Sequence, residues 1–203
     1  MKLKLASRSQ VAMVYERDLK PSFPPAELKP LENIQAMCRD GCYRPWCLFD
    51  GEEIAGACFL WLGRPGWALL DYLCVTESRR NGGAGAQMLE LLREAEPGTV
   101  ILVESEAPVH APDPEMAERR LGFYARCGLR TAGYDTDVVG AHYKTLYLSE
   151  GPVTDGRLME ENRALRAQLT AHREEQQTTY VPKPLELTEY QTRKIYIDAM
   201  LAD

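Results

Sequence analysis

Long apolar runs are missing from this chain of 203 residues. The most apolar stretch, Ile54–Leu62, falls far short of the ~20 residues that a membrane span needs. Metal-ligand spacing is missing too. Six cysteines stand at positions 38, 42, 47, 58, 74 and 127, with no CxxC pair and no histidine beside the cluster at 38–47. No zinc site is expected from that pattern, and Cys58 and Cys74 read as thiols packed like small hydrophobes. Free thiols fit a reducing compartment. Basic excess is absent: 24 Lys and Arg face 30 Asp and Glu, a net charge of −6. That excludes a nucleic-acid binder built on a basic stripe. The start, Met-Lys-Leu-Lys-Leu-Ala-Ser-Arg, lacks the apolar core of a signal peptide. The expectation is a soluble, cytoplasmic protein that binds neither nucleic acid nor membrane. No internal repeat or low-complexity tract breaks the chain.

What is present is an ordinary globular composition, 45% apolar and 27% charged. Lys2–Ala6 alternates as a short strand. Ser9–Leu19 reads as a helix that Pro21, Pro24 and Pro25 end. Leu31, Ile34 and Met37 recur at helical spacing, which predicts a helix over Leu31–Arg39. Trp46–Phe49 and Glu53–Leu62 read as a hairpin around Asp50-Gly51. Trp67–Val75 is an apolar run suited to the middle of a sheet, with Asp71 its conspicuous acid. A helix over Ala86–Glu96 ends at Pro97-Gly98, and a strand follows over Thr99–Ser105. Asp113-Pro114 starts a helix that runs to about Cys127. Leu129–Asp135 and His142–Leu148 complete the set. The region 1–150 is therefore a mixed α/β sheet with helices on both faces.

Residues 151–203 read as a separate helical tail. Leu158, Asn162, Leu165 and Leu169 form a short zipper-like seam within a helix over Asp155–Glu175. One reading lays that helix on its own domain. The other pairs it with a second copy, giving a homodimer through the C-terminal helices. Tyr180–Leu187 reads as an extended connector, and Thr188–Leu201 as a last helix.

One stretch carries legible chemistry. Asp71–Gly85 is a strand running into Arg80-Asn81-Gly82-Gly83-Ala84-Gly85, with a helix directly behind. Glycines let backbone N–H groups approach a phosphate closely, and a helix N-terminus adds its positive dipole end. Arg80 offers a charge-assisted bond from the edge of the loop. A Walker A loop would end in Gly-Lys-Ser/Thr, and no such tripeptide occurs. The dinucleotide fingerprint would need a third glycine where Met88 stands. The pattern Arg/Gln-x-x-Gly-x-Gly/Ala after a strand is satisfied by Arg80, Gly83 and Gly85.

Here the chain resembles the GNAT-type N-acetyltransferase superfamily. The resemblance rests on that loop with Tyr72-Leu73-Cys74-Val75 before it. It rests also on the run Arg119 to Leu129, similar to the family's Phe-Tyr-x-x-x-Gly-Phe helix end, with Leu129 in place of the usual aromatic. It covers about residues 1–150. It implies a mostly antiparallel central sheet and an N-acetyltransferase that takes acetyl-CoA as co-substrate and attacks it directly with an amine. The pyrophosphate would lie on Arg80, Asn81, Gly82, Gly83, Ala84, Gly85 and Ala86. The pantetheine arm would pair with Leu73, Cys74 and Val75, and Tyr124 would match the family's general acid.

The proton acceptor is left with two candidates, Glu104 at a strand end and Asp71 within an apolar strand. Glu106 and His110 are candidates for lining the acceptor site. The acceptor itself, a small-molecule or peptide amine, is not named by these residues. A second class stays open: an acyl-CoA-binding sensor or scaffold with a helical interaction tail.

Overall fold

In the computed structural model, residues 1–25, 27–138 and 141–176 are described. The connector at 180–187 and the helix at 188–201 lie outside them. Seven strands form one sheet in the order β1-β2-β3-β4-β5-β7-β6. They are β1 (Lys2–Leu5), β2 (Tyr43–Asp50), β3 (Glu53–Arg64), β4 (Trp67–Val75), β5 (Val100–Glu106), β6 (Arg130–Val138) and β7 (Ala141–Leu148). Every neighbouring pair is antiparallel except β4 and β5. The expected mixed, mostly antiparallel sheet flanked by helices is what the chain adopts.

One face is covered by α1 (Arg8–Val14), α3 (Leu31–Arg39) and α6 (Asp155–Gln176). The other is covered by α4 (Ala84–Ala95) and α5 (Pro114–Arg126). Two apolar layers result. Leu19, Ile34, Phe59 and Leu69 lie in the first, and Leu60, Met88, Leu92 and Ile101 in the second. β4 lies between them with Leu69 facing one layer and Ala68 the other. That explains why its sequence is apolar without alternation.

The first helix does not stop before Pro21. Ser7 caps it in a capping box with Gln10. The helix then widens into a π turn over Tyr15–Leu19 and continues as the short α2 (Lys20–Ser22). Pro21 cannot donate a backbone bond, and its ring would press on the carbonyl four residues back in a regular helix. The π turn, with Lys20 donating to the Tyr15 carbonyl, loosens the ladder just ahead of that proline.

The zipper-like seam of α6, the last described helix, is turned inward. Leu158 and Leu165 are fully buried, as are Asn162 and Leu169 within a few percent. They pack on the face that carries Trp61, Trp67 and Leu69, and α6 lies across β3, β4 and β6. Asp155 accepts from the Gly133 amide at 3.0 Å, which fixes the start of the helix. The leucines at 155–176 are thus spent on the chain's own sheet.

Truncating Leu165 to Ala removes a fully buried side chain, and the expected cost is about 2–5 kcal/mol. Urea unfolding measures it. A loss within experimental error would mean that α6 does not pack where it is seen.

Candidate active site

Among the described strands, the parallel pair is where two sheet neighbours part company. β4 and β5 pair only through Trp67–Val100, Ala68–Ile101 and Leu69–Leu102. Beyond those residues they part. β3 still follows β4 to Gly56 opposite Val75, and β7 follows β5 to Tyr143 opposite Glu106. Each strand keeps its outer neighbour and loses its inner one, leaving a wedge between open edges. A slip in the β3–β4 register marks the start of the parting. Leu60 lies opposite Leu70 but Phe59 opposite Tyr72, so Asp71 is the extra residue of a β-bulge. A bulge bends its strand and increases local twist.

The phase of the open edge is set at its end. The Thr76 amide donates to the Ala55 carbonyl at 2.9 Å. Backbone groups alternate between edges along an antiparallel strand. Cys74 and Thr76 therefore turn theirs toward β3, while Leu73 and Val75 turn theirs into the wedge. Thr76 is itself clamped from the π turn. Arg17 donates to its hydroxyl at 2.8 Å and to the Ile54 carbonyl at 3.0 Å. The buried Asp18 takes a 2.7 Å bond from the same guanidinium.

The loop follows from this anchored point. A single turn over Glu77–Arg79 leads to Arg80, whose Nε donates to the Val75 carbonyl at 3.3 Å. Asn81 (φ 63°) and Gly83 (φ 73°) are left-handed, and Gly83 caps α4. No side chain caps that helix, so the amides of Ala84, Gly85 and Ala86 have no acceptor from a cap. The helix begins two residues earlier than its sequence suggests, because Gly83 takes the cap position and Gly85 is helical. A Cβ on Gly85 would stand 3.2 Å from the Phe123 ring. Glycine there lets the start of α4 close on α5.

Tyr124 stands on that same face. It is half-buried with Leu121, Phe123 and Cys127 against the layer that holds Val75 and Ala84. Burial pushes its hydroxyl up to about 12, against a smaller downward pull from Arg120.

The opposite face carries the acids. Asp71 accepts from Lys29 Nζ at 2.8 and 2.7 Å and also from the Tyr43 hydroxyl. Both members of the Lys29–Asp71 pair are buried, at 9% side-chain exposure each. Burial first, and then the Asp71 charge, raise the Tyr43 hydroxyl well above its ordinary value, so it donates as a neutral phenol. Glu104 is buried and ion-paired with Arg166 of α6, with Thr136 a long 3.5 Å away. Asp71 and Glu104 each lie two positions past the last paired residues, Leu69 and Leu102. The fold thus brings both candidate acids to the apex of the wedge, each already beside a cation.

Glu106 and His110 are placed differently. Glu106 is paired with Arg120 of α5 at 2.8 Å. His110 is exposed beyond the end of β5, its ring 4.1 Å from that of His142, which in turn pairs with Asp137. Lys29, Tyr43 and Arg166 carried no sequence signal of a site. Arg166 could have been found only by noting that it adjoins Leu165 on the inward stripe of α6. Among the described residues no group of His, Cys, Asp or Glu is arranged to hold a metal. No helix among them is long and apolar enough to cross a membrane.

A sequence profile of the acetyltransferase (GNAT) family matches residues 11–129. The chain belongs to the GNAT acetyltransferase family. No curated protein matches it. Among solved structures, a GNAT-family protein from Bacteroides thetaiotaomicron is 24% identical with a TM-score of 0.64, covering 90% of this chain and 100% of its own. That coverage cannot fit within residues 1–150, so the likeness runs into the tail. A Bacillus subtilis acetyltransferase in complex with CoA is 19% identical (TM-score 0.52), covering 73% of this chain and 97% of its own. An aminoglycoside acetyltransferase in complex with coenzyme A and kanamycin is 15% identical (TM-score 0.55), covering 73% of this chain and 94% of its own. These likenesses are of fold.

The raised Tyr124 hydroxyl has a consequence for stability. Unfolded, a tyrosine titrates near 10; folded, this one titrates near 12. The unfolded state therefore loses its proton first, and stability falls as pH rises through that window. Chemical unfolding at stepped pH should show wild type losing stability relative to Tyr124→Phe only above about pH 10. A constant difference up to pH 12 would contradict the assignment.

Proposed function

We propose that this GNAT protein transfers the acetyl group of acetyl-CoA to a primary amine by direct attack. The carrying observation is the open edge of Leu73 and Val75 beside a helix N-terminus with no side-chain cap. CoA accompanies both the Bacillus subtilis and the aminoglycoside acetyltransferase structures named above, which supports an acyl-CoA co-substrate here. The residues present fit such a group. Amides of Gly83–Ala86 with Arg80 would hold the pyrophosphate, and the Leu73 and Val75 edge would pair with the pantetheine arm. Asn81 and Gly82 shape the turn. When bound, the thioester supplies an activated acyl carbon.

An amine with a pKa of ~10.4 is neutral in only a few parts per ten thousand at pH 7. Freeing it costs about 4–5 kcal/mol, so a proton acceptor at the apex matters. In this reading Glu104 takes that role. Asp71 already accepts three hydrogen bonds, two from Lys29 and one from Tyr43. Glu104 has one cationic partner and a long contact to Thr136. Glu104 must still release Arg166 in part before it can accept a proton. An amide of the open β4 edge on the apex side, that of Leu73, would be the donor for the carbonyl oxygen. Tyr124 holds the sulfur. Full proton transfer from a phenol near 12 to a thiolate near 8.5 is uphill by about 5 kcal/mol, so a hydrogen bond is its main contribution.

One observation favours the sensor or scaffold reading: both apex carboxylates are paired. Thiol release from acetyl-CoA over a panel of amines separates the two. Release with any amine supports transfer, whereas acetyl-CoA binding without release supports the sensor. Acetyl-CoA should raise Tm in either case, and no shift at saturation would sink both. Glu104→Gln should lower kcat by about 10²–10⁴-fold, with Tm still raised by acetyl-CoA.

A further inference from the structure

The last described helix lies outside the family-matched residues 11–129, yet it delivers a charge to the apex. Arg166 pairs through Nη2 with Glu104, whose side chain is 4% exposed, and it lies within electrostatic reach of Asp71. Lys29 serves Asp71 from the loop before α3. Two carboxylates thus face two cations, and the apex carries no spare negative charge. Holding a guanidinium there is unfavourable in itself, since burial opposes its charge. The Arg166 Nε is buried with no hydrogen-bond partner among the described residues. A buried donor without a partner is costly. An oxygen acceptor brought by a ligand would satisfy it.

We propose that Arg166 determines acceptor specificity: with Lys29 it neutralises the acidic apex, and its unspent N–H selects an amine that also carries a carboxylate. The acceptor class is then amino-acid-like. A polyamine would bring extra positive charge to an apex that has no bare carboxylate to receive it. This inference rests on reading the wedge as the acceptor side. An exposed acidic cleft would have argued the reverse, because bare carboxylates draw polycations.

The test is calorimetry of the full chain with saturating CoA, using alanine and spermidine as probes. Wild type should bind alanine more tightly than spermidine. Arg166→Gln should shift that ratio toward spermidine by about tenfold or more, since a bare Glu104 then faces the ligand. Arg166→Lys keeps the charge but removes the Nε–H, so spermidine should stay disfavoured while the preference for alanine weakens. Where Arg166→Gln fails to fold, Arg166→Met with Glu104→Gln leaves neither charge unpaired and should lose the preference for alanine. An unchanged ratio in the charge-removing variants overturns the inference. So does a wild type that binds spermidine at least as tightly, or binds neither probe. Since binding is read with CoA, it is independent of turnover. Selectivity without thiol release from acetyl-CoA would sink the transferase reading and leave the selectivity standing.

Discussion

The parting of β4 from β5 is the constraint on which the rest depends. Parallel neighbours cannot be joined by a tight turn; they need a crossover, and here the crossover is α4. A helix that crosses from the end of β4 must begin near that end. The same topology therefore places an uncapped helix N-terminus next to the edge that β5 has left. The bulge at Asp71 then turns β4 away from β5 as soon as the pairing stops. A helix N-terminus without a side-chain cap and an unpaired strand edge are thus one consequence of a parallel pair within an otherwise antiparallel sheet.

Charge is distributed unequally between the two faces of that wedge. The α4/α5 face offers amide donors, Arg80 and a neutral phenol. The face under α6 holds two carboxylates with two cations, and most of their atoms are away from water. Buried ion pairs add little net stability on average, because desolvation offsets attraction. Breaking one pair is another matter, since the survivor is left charged and dry. Such pairs are poor glue but strict geometry, and they hold Asp71 and Glu104 in place on either side of the apex.

Much of this was legible in the residues. β4 and α3 have the bounds that the apolar run Trp67–Val75 and the spacing Leu31–Ile34–Met37 predict, because local pattern and burial agree there. The glycine loop and Tyr124 were legible as a motif, and they come to the same face. The bulge was not legible. Its only mark was an acid in an apolar strand, and pairing partners decide a register slip. Pro21 was read as a stop because local chemistry says so, while the packing of Tyr15, Asp18 and Leu19 carries the helix past it. The leucines of α6 were periodic, but periodicity does not say what they face. Arg166 meets Glu104 only through the tertiary fold, so its neighbour Leu165 could mark it as inward-facing but not name its partner.

The π turn at Tyr15–Leu19 also sets a rotational phase. It inserts one residue's worth of rotation, so the two halves of the first helix are out of step with a regular helix. Asp18 and Arg17 reach Thr76 only in that offset phase. Removing one residue from the turn would restore a regular helix and swing both side chains around the axis by about 100°. A single-residue deletion, harmless in many surface loops, would here unclip the strand end that precedes the glycine loop. The length of this helix therefore carries structural information that its amino-acid types alone do not reveal.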